Sequence, residues 1–226
     1  MNLIPKCKMK ILLLLQFFSV SVLGQKAFTI KIPHYYDLGL IAYDSLGRDS
    51  VGTGFLISPN TVMTCAHVAD GRSEIYYIPT NCKRSFRLTL KKNQYGHDLA
   101  LYGSKETICA RFLKLAPSFK SDLGDSIVYM GWDTGENAFL VSWGVISAYG
   151  KAVRTKSIFV DFLEFKSIAR PGYSGGPILN RKGEVVAIIS QAFYQRGIKA
   201  APSDEYILCK GFSIRPMFPE IKRRKT

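Results

Sequence analysis

RPGYSGGPILN, residues 170–180, sets one serine, Ser174, among three glycines and between two prolines. A chain that strips side chains from around a hydroxyl leaves room for something to approach its backbone closely. A serine hydroxyl is a poor nucleophile at its free pKa and needs a base within hydrogen-bond reach, with a third group to hold that base in the right tautomer. It also needs backbone N–H groups aimed at the oxygen that becomes negative during acyl transfer. Gly172, lacking a Cβ, takes backbone angles that other residues avoid, and lets a carbonyl come close to its own N–H and to that of Ser174.

GYSGG also satisfies G-x-S-x-G, the nucleophile elbow of the α/β-hydrolases, where the histidine follows the serine. Here all three histidines, His34, His67 and His97, precede Ser174, so that scaffold fails on chain order. The base must come from upstream, and TCAHV supplies His67 at the end of an apolar run. GHDLALY then places Asp98 directly before an apolar strand, with its neighbours buried and its carboxylate at the rim. Taken singly, His67 reads as a structural histidine and Asp98 as a strand-initiating turn residue; with Ser174 they read as base, orienter and nucleophile. His97 is a rival base without an evident partner. Asp44 would give the subtilisin-like order Asp, His, Ser, but the β-rich pattern argues against that α/β scaffold.

Eleven short apolar or alternating runs recur between turn signals, among them VGTGFLI, EIYYIP, SIVYMG and GEVVAIISQAF. They are rich in Val, Ile, Phe and Tyr and mostly too short for helices, which reads as all-β. So many strands suit a pair of barrels, which leave no unpaired sheet edges. Only a turn after His67 and the end, RPMFPEIKRRKT, read as helical.

The first residues carry Lys6, Lys8 and Lys10, then ILLLLQFFSVSVLG before Gln25, the pattern of a secretory signal peptide. Residues 1–24 are expected to be removed near Gly24/Gln25, with Met9 as an alternative start to Met1. Export to the periplasm or the extracellular space follows, with membrane contact only in transit. Removal of three lysines leaves 28 basic against 17 acidic residues, a balance of +11. That charge fits attraction to acidic polymers, but no DNA- or RNA-binding motif accompanies it, so no specific nucleic-acid partner is expected. Cys65, Cys82, Cys109 and Cys209 permit three disulfide pairings or remain as buried thiols. No C-x-x-C spacing suggests zinc, and three histidines make a multi-histidine metal site a poor reading.

GTGFLISPNTVMTCAHV, HDLALY and RPGYSGGPILN together resemble the trypsin-like, chymotrypsin-fold serine peptidases, and among them the bacterial HtrA/Do-like branch. The resemblance spans roughly residues 35 to 218 and includes SWGVISAYGK, GEVVAIIS and GFSIRPM. It implies two six-stranded antiparallel β-barrels, about 35–115 and about 122–218, in one peptidase domain of residues 25–226. A short C-terminal helix and a basic tail, 219–226, would follow, with no PDZ domain after the last strand. It further implies Ser174 as acylating nucleophile, His67 as general base and then acid, and Asp98 as its orienter. Gly172 and Ser174 would supply the oxyanion N–H groups. Ile189, Ser190, Gln191 and Ala192 would form the edge strand that pairs with an extended peptide. The residue at the base of the specificity pocket falls near Ile168, which implies cleavage after small or medium apolar residues.

Departures from the family pattern are informative. Tyr173 stands where the digestive members carry the Asp that pairs with a new N-terminus, so that zymogen switch is not expected. Cys65 precedes the histidine by two, whereas in the animal enzymes a bridging cysteine follows it, so those disulfides do not transfer. The leading expectation is an exported serine endopeptidase needing no cofactor and acting on protein or peptide substrates, its activity rising through about pH 7 as a histidine base becomes neutral. The contrasting one is a catalytically silent protein of the same fold that binds polyanions or proteins. An esterase would share the same chemistry. Nothing in the residues fixes an oligomeric state.

Overall fold

The structure, a computed structural model, describes residues 38–80, 82, 84–117, 122–155, 158–167, 171–193, 207–214 and 216. The expected signal peptide, C-terminal helix and basic tail lie outside these residues, as does Ile168. Twelve strands form two closed barrels, each antiparallel and six-stranded. The first contains β1 (Leu38–Ala42), β2 (Ser50–Ser58), β3 (Thr61–Thr64), β4 (Glu74–Pro79), β5 (Phe86–Gln94) and β6 (Leu99–Gly103), closed in the order β1-β2-β3-β6-β5-β4. The second contains β7 (Ser126–Asp133), β8 (Ala138–Thr155), β9 (Ile158–Ser167), β10 (Pro177–Leu179), β11 (Val185–Phe193) and β12 (Ile207–Ser213), closed as β10-β11-β12-β9-β8-β7. This is the chymotrypsin-like architecture.

Eleven of these strands coincide with the apolar runs of the sequence. The twelfth, β10, is three residues long and opens with a proline, so it carries too little periodicity to stand out. In β4, Ile75 and Tyr77 are buried while Glu74 is exposed, the two-residue alternation of a strand with one face inward.

β7 is buried on both faces for a different reason. Ile127 and Tyr129 point into the core of their own barrel. Val128 and Met130, on the opposite face, join the hydrophobic cluster of the first barrel together with Leu179 and Ile188. Alternating residues of one strand therefore build a barrel interior and the seam between barrels. The segment that joins the two is tied to both: the Leu113 N–H donates to Leu56 O at 2.9 Å, and the Val185 N–H donates to Lys114 O at 2.8 Å.

All four described cysteines are free thiols, with Cys65 and Cys209 buried and Cys82 and Cys109 half-buried. Asp44 is a turn residue: its Oδ1 accepts the N–H groups of Leu46 and Arg48.

Candidate active site

His67 lies on α1 (Ala66–Ala69), a single turn that starts directly after β3. A short 3-10 turn, Tyr95–His97, precedes Asp98, which adopts left-handed backbone angles (φ 56°, ψ 40°). Such angles are uncommon for a residue with a side chain and persist where the surroundings fix them. Here the fixing groups are hydrogen bonds. The Asp98 N–H donates to Tyr95 O at 3.0 Å, and Asp98 O accepts the Ala66 N–H at 3.2 Å.

The Asp98 carboxylate faces His67 from below. Its Oδ1 accepts the His67 backbone N–H at 3.0 Å. The imidazole Nδ1 lies 2.9 Å from Oδ1 and 2.8 Å from Oδ2. With the carboxylate ionised, Nδ1 carries the donated proton and Nε2 is left as the ring's acceptor. The Ser190 hydroxyl, from the second barrel, also donates to Oδ2. Burial alone would raise the Asp98 carboxyl, but the His67 hydrogen bond and charge, with the Ser190 hydroxyl and the His67 N–H, outweigh it and hold Asp98 below its ordinary value of 3.8. Asp98 is 5% exposed, whereas the His67 side chain is 50% exposed. The arrangement thus keeps an ionised carboxylate away from water and its imidazole partner open to solvent.

Ser174 lies between Gly172 (φ 101°) and Gly175 (φ 87°), both in backbone angles that favour glycine. Close contacts also require glycine there. A Cβ on Gly172 would sit 2.5 Å from Trp132 O, and one on Gly175 would collide with Thr53 O and Thr64 Oγ1. The first barrel reaches across to this loop: the Thr53 N–H on β2 donates to Ser174 O at 2.9 Å. The loop is also laced to β11, with the Gly175 N–H to Ile189 O and the Ile189 N–H to Gly176 O both at 2.8 Å. The Ser174 loop and the Asp98 carboxylate thus bond to adjacent residues of β11, Ile189 and Ser190, where the first barrel meets the second.

Both bonds from the loop use the Ile189 backbone, and Ser190 follows it. There the pairing with β12 shifts register between Ile189 and Gln191, a bulge of the kind that re-aims a side chain. Ser190 is buried, its hydroxyl on Asp98. Gln191 and Ala192 pair with Lys210 and Cys209 of β12.

Sequence reasoning did not single out Ser190 as a partner of Asp98, nor Cys65 as part of this layer. The Cys65 thiol donates to Ile189 O at 3.2 Å. Burial, then the negative charge of Asp98, pushes that thiol well above its ordinary range. Donor atoms of Cys65, His67 and Asp98 lie within 4.8 Å of one another, but they are already engaged in the hydrogen bonds just described. His97 faces elsewhere: burial lowers its pKa, opposed by the charge of Asp161 on β9.

The trypsin-like peptidase domain profile matches residues 52–188. The chain belongs to the trypsin-like peptidase family. Similar members include a probable periplasmic serine endoprotease, DegP-like, from Marinomonas sp., 32% identical over 151 residues covering 66% of this chain and 31% of that protein. The corresponding DegP-like protein of Pseudomonas savastanoi is 34% identical over 152 residues, covering 66% of this chain and 30% of that protein. This peptidase-family chain therefore matches about a third of the length of those curated relatives. Among solved structures, the Rv3671c protease of M. tuberculosis in its active form superposes with a TM-score of 0.65 at 20% identity, covering 86% of this chain and 90% of that one. The HtrA-type protease AlgW with a tripeptide superposes at 0.64 with 19% identity, covering 80% and 57%. At such identities the structural likeness is one of fold.

Proposed function

We propose that this peptidase-family chain is an exported serine endopeptidase that works through an acyl-enzyme. The observation that carries the reading is the His67–Asp98 pair, an ionised carboxylate 2.8 Å from Nδ1 of a half-exposed imidazole. Asp98 fixes the tautomer in which Nε2 is free to accept a proton. Ser174 Oγ attacks the scissile carbonyl carbon while its proton passes to His67 Nε2. The carbonyl oxygen, now negative, is received by the N–H groups of Gly172 and Ser174. Imidazolium then returns the proton to the leaving amine as the C–N bond breaks. Water repeats the sequence on the acyl-enzyme, with His67 again as base, and releases the acid. Donors of this kind each contribute a few kcal/mol, about 10²–10³ in rate.

The β11 stretch named from the resemblance, Ile189 to Ala192, offers backbone groups of its C-terminal part to an extended substrate, by addition of a strand. The apolar Ile168 favours small or medium apolar side chains before the cut. Export is supported by the leader-like N-terminus and by the periplasmic relatives. Protein or peptide is the substrate class, and the chemistry described calls on no cofactor or metal.

A fluorophosphonate probe bearing a fluorophore tests the reading. It should label the wild-type chain and fail to label Ser174→Ala, with His67→Ala strongly reduced. Well-folded wild-type protein that takes no label would instead be the silent, polyanion- or protein-binding member of the fold. Cleavage of a peptide library then gives the specificity, and cuts confined to sites after charged residues would overturn the apolar preference.

A further inference from the structure

Four consecutive carbonyl groups of the Ser174 loop are each held by a donor. Pro171 O accepts the Thr134 N–H at 3.3 Å and the Thr134 hydroxyl at 3.0 Å. Gly172 O accepts the Thr53 hydroxyl at 2.7 Å. Tyr173 O accepts the Gly176 N–H, and Ser174 O the Thr53 N–H, both at 2.9 Å. No peptide bond of the described chain is cis, and in a trans peptide the C=O and N–H point in opposite directions. Anchoring a carbonyl therefore decides where the next residue's N–H points. The Pro171 and Tyr173 carbonyls belong to the same peptide units as the Gly172 and Ser174 N–H groups, and the Gly172 carbonyl belongs to the unit between them.

Of these anchors, two are side-chain hydroxyls, and both are built to point one way. The Thr53 hydroxyl accepts the Trp132 N–H at 2.8 Å. A backbone N–H can only donate, so the single Thr53 hydroxyl proton is left for Gly172 O. Thr53 is completely buried, at the seam of the barrels. Thr134 is exposed and stands on the turn between β7 and β8. That turn is pinned by the buried Asp133, whose Oδ1 accepts the N–H groups of Gly135 at 2.9 Å and Glu136 at 3.0 Å. Trp132 and Phe139 stack edge-to-face across the same hairpin, with ring centroids 5.1 Å apart.

We propose that the hydroxyls of Thr53 and Thr134 are positioning groups that set the peptide planes on either side of Gly172, and so aim the N–H groups that receive the oxyanion. This rests on the proposed role of those N–H groups. Neither threonine touches the reacting atoms. Thr53 acts from the first barrel and Thr134 from the β7–β8 hairpin, so Gly172 is gripped from two sides by elements other than its own loop.

Thr134→Val keeps the shape and removes the hydroxyl, at an exposed position where folding is little affected. Because tilting an oxyanion donor costs part of what deleting it costs, kcat for a quenched-fluorescence peptide should fall about tenfold with KM within about twofold. Thr134→Ser should restore kcat, and affinity for a peptide boronic acid should fall in step with kcat. An unchanged kcat, a loss confined to KM, or a serine variant as impaired as the valine one would overturn the proposal. Thr53→Val leaves the Trp132 N–H without its acceptor, so Thr134→Val is the decisive variant. Independently of turnover, amide 15N relaxation dispersion at Gly172 and Ser174 should appear in Thr134→Val and not in Thr134→Ser. Relaxation unchanged at both amides would overturn the positioning role even in a chain that the fluorophosphonate fails to label. Absence of label in the wild type tells only against the peptidase mechanism.

Discussion

The Ser190 hydroxyl donates to Oδ2 of Asp98, so a strand of the second barrel holds the carboxylate that the first barrel presents to His67. The pair is separated by 92 residues in sequence. It makes the carboxylate's position depend on how the two barrels are docked.

Removing that hydroxyl should be felt in catalysis more than in binding. Ser190→Ala deprives the buried carboxylate of one donor, and a hydrogen bond to a charged group contributes about 1.5–3 kcal/mol. Because Asp98 keeps its bonds to His67, the expected loss is about tenfold in kcat at unchanged KM, measured by peptide hydrolysis at pH 8. Wild-type kcat in this variant would show that Asp98 needs no support from β11.

Asp98 should also shape stability in acid. Its folded pKa lies below the ordinary 3.8, so the unfolded chain binds the proton more readily. The stabilisation is then complete above the ordinary value and is lost as pH falls through the folded value. Thermal melts from pH 3 to 7 should show wild type above Asp98→Asn at neutral pH, with the gap closing below about pH 4. A gap that stays constant down to pH 3 would contradict the lowered pKa.

Gly175→Ala should be among the most destabilising single changes in the chain. The new methyl meets Thr53 O and Thr64 Oγ1 and must also adopt φ 87°. Overpacking and backbone strain each cost about 1–3 kcal/mol, so a loss of about 3 kcal/mol is expected in urea unfolding. A loss under about 1 kcal/mol would mean that the contact between Gly175 and the first barrel is loose.

The thiols should divide into two classes. Burial pushes the Cys209 thiol up to about 11, opposed by a hydrogen bond from Ser167. Cys65 is likewise raised, and neither thiol is exposed to solvent. Iodoacetamide at pH 8 followed by site-resolved mass spectrometry should therefore modify Cys82 and Cys109 in the native protein, and Cys65 and Cys209 only after unfolding. Rapid native alkylation of Cys65 would be incompatible with its place behind Asp98.

Two-residue alternation and turn residues make eleven of the twelve strands legible in the sequence, because inward and outward positions obey the local pleat. β10 escapes, since the three residues Pro177–Leu179 hold barely more than one two-residue period. The residue types at 67, 98 and 174, in that order, are likewise enough to nominate a base, an orienter and a nucleophile, because acyl transfer limits which groups can fill those roles. The glycines at 172 and 175 are equally readable as sites of close backbone approach.

What the sequence leaves open is every relation between groups far apart along the chain. Thr53 lies 119 residues from Gly172, and its hydroxyl looks like any strand threonine until the barrels dock. Ser190 reads as one more residue of an apolar strand, and only the bulge beside it and the approach of Asp98 give its hydroxyl a task. Val128 and Met130 alternate with Ile127 and Tyr129 along one apolar run, and only the second barrel's contact with the first turns their face into core. A local pattern encodes which side of a strand is apolar, but a hydrogen bond between barrels depends on the relative placement of two closed sheets, and that is set by their packing as a whole.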